Sequence, residues 1–185
     1  MTQSERESRQ LTVEEYLELE KTSSVKHEFV GGEVHAMTGA SRRHNTIAGN
    51  VFLALRLAAR GSTCRVFQSD MKVRVSSDTF YYPDVLVACD DPPEDEYTED
   101  APCLVVEVVS PSTEATDRRE KLAAYKRMPD LKAYLIVSQE RKWIERHFRD
   151  ESGEWRRADL TEEGSFPVPC PPGAALSLAE VYEGL

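Results

Sequence analysis

At 185 residues, with 40% hydrophobic and 30% charged side chains, the chain is long enough to bury one substantial core and has a globular composition. Its longest apolar run falls far short of a membrane span and its polar N-terminus lacks an apolar signal region, so a cytoplasmic protein with no membrane partner is expected. A net charge of -10 weighs against a nucleic-acid partner, because acidic surface repels phosphate over a screening length of about 8 Å, but it leaves a local basic face open.

Residues 1–10 are expected to be disordered and 11–185 to form a single domain. Leu11 to Glu20 predicts a helix, with Thr12 as N-cap and Glu15 completing a capping box. His27 to Val30 and Glu33 to Met37 predict a hairpin, because Gly31-Gly32 accepts the positive φ of a two-residue turn. From Ser41 to about Arg60, Ile47, Ala48, Val51, Leu55 and Ala58 recur at helical spacing, and Gly61 is placed to end the run. The period then changes to two. Cys64 to Phe67, Met71 to Val75, Phe80 to Ala88 and Cys103 to Val109 predict strands. The acidic stretch from Asp90 to Pro102 predicts an exposed loop. A helix should begin at Asp117, its N-cap, and stop near Met128, because Pro129 disfavours helical geometry before it. Lys132 to Val137, Trp143 to Arg149 and Trp155 to Asp159 predict strands, with Trp143 and Trp155 packing in a hairpin, and Ser177 to Glu183 predicts a terminal helix. The pattern as a whole is an α/β (α+β) domain with a mixed sheet and helices on its faces.

Cys64, Cys89, Cys103 and Cys170 are scattered without a C-x-x-C pair, which argues against a zinc knuckle and predicts reduced core thiols.

The chemistry lies in two misplaced carboxylates. In Leu104-Val105-Val106-Glu107-Val108-Val109, alternation sets Val105, Glu107 and Val109 on one face and Leu104, Val106 and Val108 on the other. Both faces are otherwise apolar, the mark of a doubly covered strand in which a carboxylate needs a cationic or donating partner. Asp84 interrupts a second apolar strand beside Pro83, which cannot donate a ladder hydrogen bond. If these strands are neighbours the acids converge, and two unit charges about 4 Å apart repel by about 4 kcal/mol at an effective dielectric near 20. Either one carboxylate takes up a proton or a cation sits between them, and two carboxylates with water and phosphate oxygens make an ordinary magnesium site. Lys121, one turn before Tyr125 on the following helix, is placed to add a positive charge, and Glu33 and His44 are candidate accessories together with Tyr125.

Each residue also has a plainer reading. Glu107 can be a structural buried acid paired with an arginine or Lys121, Asp84 a turn acid, Lys121 a solvated helix lysine and His44 a packed histidine. Asp70 is expected at a bend between strands, and Arg42 and Arg43 can meet phosphate or solvent.

Asp84 within Pro83-Asp84 and Glu107 in a hydrophobic strand resemble the PD-(D/E)XK nuclease signature. With Thr12 to Leu17, His27 to Glu33 and Glu107 to Thr113, the chain resembles more narrowly a large bacterial family of putative restriction endonucleases, from about Leu11 to Leu185. The resemblance implies a restriction-endonuclease-like core with an N-terminal helix-hairpin and C-terminal β-hairpin additions. It also implies Asp84 and Glu107 as ligands of Mg²⁺ or Mn²⁺, a nucleic-acid substrate expected to be DNA, and a homodimer or higher homo-oligomer. The superfamily's lysine belongs two residues after the acid, where this chain has Val109; Lys121 is the position that fits a lysine moved to the next helix. Two alternatives stand beside a metal-dependent endonuclease: a catalytically inactive binding or assembly module, and a metal-dependent hydrolase of a smaller phosphoester.

Overall fold

The computed structural model describes residues 10–110, 117–161 and 163–185, with Asp117 described by its backbone only, so the expectations for the first nine residues and for an Asp117 side-chain cap lie outside the described residues. Helix α1 (Val13–Thr22) begins at the expected capping box: Thr12 accepts the Glu15 N–H, and the Glu15 carboxylate accepts that of Thr12. It packs through Tyr16, whose ring stacks 4.7 Å from Phe29 on β1 (His27–Val30). Strand β1 turns through Gly31 and Gly32, at φ 56° and 98°, into β2 (Glu33–Ala36). Helix α2 (Arg42–Ala58) is capped by Ser41, which accepts the His44 N–H.

Strands then follow in the order β3 (Arg65–Gln68), β4 (Lys72–Ser76), β5 (Thr79–Tyr81), β6 (Val85–Ala88), β7 (Thr98–Glu99) and β8 (Leu104–Val109). A π-helical turn (Asp117–Lys121) leads into helix α3 (Leu122–Tyr125). After it come β9 (Ala133–Ser138), β10 (Ile144–Arg149), β11 (Trp155–Leu160), β12 (Ser165–Pro167), β13 (Ala175–Ser177) and helix α4 (Leu178–Val181). One sheet has the order β2-β1-β5-β4-β7, a second β11-β10-β9-β8-β6-β3, and β12 pairs with β13. In the second sheet β8 and β9 are parallel, while β6 runs antiparallel to both β8 and β3.

All six residues of β8 are buried. Leu104, Val106 and Val108 pack with Ile47, Val51 and Leu55 of α2, and Val105 and Val109 face Tyr125, Leu131 and Tyr134 on the other side. The doubly covered strand is therefore present, with the predicted alternation. Covering both faces excludes water from the strand and raises the cost of any unpaired charge on it.

Four expectations are corrected. The strand read from Phe80 to Ala88 is two strands in different sheets, because Pro83 cannot donate to a ladder and the chain crosses between sheets over Tyr82–Asp84. The acidic loop holds the short strand β7, parallel to β4, whose Glu99 is buried against Arg65 at 3.1 Å. The helix expected to stop near Met128 starts with a π turn and ends at Tyr125. The cysteines are not scattered reduced thiols: Cys64 is bonded to Cys89 and Cys103 to Cys170, since the sheet brings together segments far apart in sequence. Among the described residues no helix is long and apolar enough to cross a membrane.

Candidate active site

Asp84 comes beside the Glu107–Val108 peptide because β6 and β8 are antiparallel neighbours. Val85 faces Val106, and that register continued by one residue sets Asp84 beside Glu107. The Val108 N–H donates to Asp84 Oδ2 at 2.7 Å, so the two acids flank a single peptide unit. His44, in the first turn of α2, brings Nε2 to 3.2 Å from the same oxygen. Ser41 Oγ donates to Gln139 Oε1 at 2.9 Å and Arg43 bonds the Gln139 carbonyl, which fixes that end of α2 beside the ends of β8 and β9. Tying the helix there holds His44 over Asp84.

Glu107 is 4% exposed, which demands a compensating charge. Lys121 supplies it. Its Nζ lies 3.2 Å from Glu107 Oε1 and 2.8 Å from Glu28 Oε1, and 5.3 Å from the centre of the Tyr81 ring. The π turn widens the helix at this point, a local irregularity frequently found at functional sites, and it delivers the ammonium group inward rather than to solvent.

Glu28 is the site residue that sequence reading missed. It accepts the Tyr82 N–H at 3.3 Å as well as contacting Lys121. Its signal was present: alternation on β1 puts Glu28 on the face of Val30, which packs against the cluster containing Tyr125 and Val109. Glu33, the acid named instead, is exposed on β2 and its nearest ionic partner is His35 at 3.8 Å. It pairs with Val30 across the glycine turn, but on the outer strand of the hairpin, where it is open to solvent.

Tyr125 lies beneath this group, fully buried, with its ring 5.6 Å from Tyr81 and 5.1 Å from Tyr134. Its hydroxyl has no hydrogen-bond partner among the described residues. Burial, reinforced by the Glu107 carboxylate, holds that phenol far above its ordinary pKa, and burial with Glu28 nearby pushes Tyr81 up to about 12. Both are neutral at physiological pH, so they wall the site without adding charge.

A second buried acid provides a contrast. Glu145 on β10 contacts Arg118 and Arg157 and accepts a hydrogen bond from His147 Nε2 at 2.6 Å. Two guanidinium groups compensate that carboxylate, whereas among the described residues Asp84, Glu107 and Glu28 bring three carboxylates together with the ammonium of Lys121 and the imidazole of His44. Excess negative charge over oxygen donors is the chemistry that suits a hard divalent cation. Asp70 sits at the expected bend, beside Ser69 at φ 59°, and pairs with Lys26.

Residues 13–179 match the family Uma2, described as "Putative restriction endonuclease". The chain belongs to the Uma2 family. It is 38% identical over 184 residues to the uncharacterized protein slr1290 of Synechocystis sp., covering 95% of this chain and 93% of that one. A second Synechocystis protein, the uncharacterized sll1609, is 31% identical over 159 residues, covering 84% of this chain and 90% of that one. The crystal structure of a "putative nuclease belonging to DUF820" from Anabaena variabilis superposes with a TM-score of 0.76 at 16% identity, covering 93% of this chain and 97% of that chain. The restriction-endonuclease-like fold expected from the sequence, a mixed sheet flanked by helices, is thus the fold of this Uma2 chain.

Proposed function

We propose that this Uma2 protein is a Mg²⁺- or Mn²⁺-dependent endonuclease that hydrolyses phosphodiester bonds in DNA, with Asp84, Glu107 and Lys121 at its centre. The observation that carries the reading is the juxtaposition of Asp84 with Glu107 and of Glu107 with Lys121, inside an otherwise apolar sheet of a nuclease-family fold.

Asp84 and Glu107 would hold the ion. The contacts of Asp84 with His44 and Val108 fall on Oδ2, so Oδ1 can face a ligand while the carboxylate stays oriented. When bound, such an ion polarises a phosphoryl oxygen and acidifies a water molecule. The protein's own groups do the rest. Lys121, positioned by Glu28, offers its ammonium to the negative charge that grows on the phosphate oxygens as water adds to phosphorus. The bond to the departing sugar oxygen then breaks, and that oxygen takes up a proton. His44 keeps Asp84 from rotating out of place. Cutting both strands calls for two such centres, which a homodimer would supply.

The test is a plasmid-nicking assay run beside calorimetric titration of Mg²⁺ or Mn²⁺ into wild type and Asp84→Asn. Nicking by the wild type alone, with metal uptake lost in the variant, supports the reading; equal metal uptake by both removes Asp84 from the site. The net charge of -10 favours a second reading, hydrolysis of a smaller phosphoester. Under that reading DNA binding would be weak and insensitive to salt, whereas a DNA enzyme loses affinity steeply as salt rises.

A further inference from the structure

The four cysteines converge at the end of β6 and β8 opposite the carboxylates. Cys89 follows β6 as Asp84 precedes it, and Cys103 precedes β8. The register Arg65↔Ala88 places Cys64 next to Cys89, and the Cys103 N–H donates to the Val87 carbonyl at 2.8 Å, which sets Cys103 on the other side. Cys170, from the segment between β12 and β13, closes the group. The bonded pairs are Cys64–Cys89 and Cys103–Cys170, but they are not separate staples. Sγ of Cys89 and Sγ of Cys103 are 3.6 Å apart, and the sulfurs of Cys89, Cys103 and Cys170 lie within 4.8 Å of one another. A cleft lined by these cysteines, Asp90 and Lys132 opens onto the group.

Two independent disulfides have no need for their sulfurs to touch. A shared cation does. In a tetrahedral zinc centre with Zn–S near 2.3 Å the sulfurs stand roughly 3.8 Å apart, the spacing already present between Cys89 and Cys103. We propose that in its reduced state this cluster is a closed tetrathiolate zinc site formed by Cys64, Cys89, Cys103 and Cys170. Reduction of each disulfide takes two electrons and two protons from a dithiol, which closes to its own disulfide. Zinc then displaces the four thiol protons and leaves a dianionic centre. The sulfurs of Cys89, Cys103 and Cys170 are already grouped, and Cys64, bonded to Cys89, must turn toward Cys103 and Cys170 when its disulfide opens. Soft thiolates select zinc over magnesium or calcium, and with every position filled by protein sulfur the centre is structural, with no open place for a substrate. Lys132, at the rim of the cleft, offsets part of its negative charge. The site would tie the edge strand β3 and the C-terminal segment to the β6–β8 pair, at a distance from the proposed nuclease centre and independent of it.

The test uses the full chain, purified without chelator under a dithiol reductant that is then removed anaerobically. Elemental analysis should find one zinc per chain, and a chromogenic thiol reagent in denaturant with chelator should count four thiols. Replacing zinc with Co²⁺ should give the sulfur-to-cobalt charge-transfer absorption and the intense visible bands of a tetrahedral tetrathiolate. Zinc should persist at the same stoichiometry in the double variant Asp84→Asn, Glu107→Gln. Protein with four free thiols and no zinc, protein that retains both disulfides and no zinc, or zinc lost in the double variant would each overturn the proposal.

Discussion

The N–H of Val108 points at Asp84 Oδ2 from 2.7 Å, so the residue that follows one acid clamps the other. Because the clamp is a backbone group on a fully buried strand, it cannot swing away as a side chain could, and Asp84 inherits the rigidity of the sheet. Asp84→Asn keeps an acceptor for this bond and should fold normally while losing divalent-ion uptake. Asp84→Ala leaves the N–H unsatisfied and should cost about 1–3 kcal/mol on top of that loss. Urea denaturation and metal titration of the two variants separate the effects.

Lys121→Met should destabilise the protein by about 3–5 kcal/mol, because it removes the buried ammonium that both the Glu107 and the Glu28 carboxylates contact. Adding Glu107→Gln should recover part of the loss. A double-mutant cycle on unfolding free energies measures that coupling; additive losses would show that Lys121 does not compensate Glu107.

Glu28→Gln retains an acceptor for the Tyr82 N–H but removes one of the charges that position Lys121. Mg²⁺ uptake should weaken about tenfold or more, as for other groups behind a metal centre, while the far-ultraviolet circular dichroism stays unchanged. Glu33→Gln, on the exposed outer strand, should leave uptake as it was.

Alkaline pH should unfold the chain cooperatively. Burial raises the pKa of Tyr16, Tyr81, Tyr82, Tyr125 and Tyr182, with Glu20 adding to the effect at Tyr16 and Tyr82. Above the unfolded value of about 10 the native state binds more protons than the unfolded state, so stability is present below that pH and falls as pH rises through it. Tyrosinate absorbance and circular dichroism followed together from neutral to strongly alkaline pH should change in one transition for these residues. Early, separate ionisation of all of them with the fold intact would contradict their burial.

The doubly covered strand was legible because one acid stood in a continuous apolar run, and the capping box of α1 because Thr12 and Glu15 have the right spacing. Lys121 was legible through its place on the element after that strand. The break at Tyr82–Asp84 left one mark, Pro83, but sheet membership is a matter of which partners the chain finds and no local pattern encodes it. Strand β7 is two residues long and pairs in parallel, too short to show a period. The cysteine group was hidden for the same reason as Glu28: proximity came from strand order, with bonded partners 25 and 67 positions apart.

The passage from β5 to β6 over Tyr82–Asp84 has a consequence for how this centre can be divided or transplanted. Glu28 arrives on one sheet, Glu107 on the other, and Asp84 rides the three-residue bridge joining them. A fragment carrying either sheet alone would separate Glu28 from Glu107, so circular permutants opened within the bridge should lose the proposed activity even where both layers still assemble.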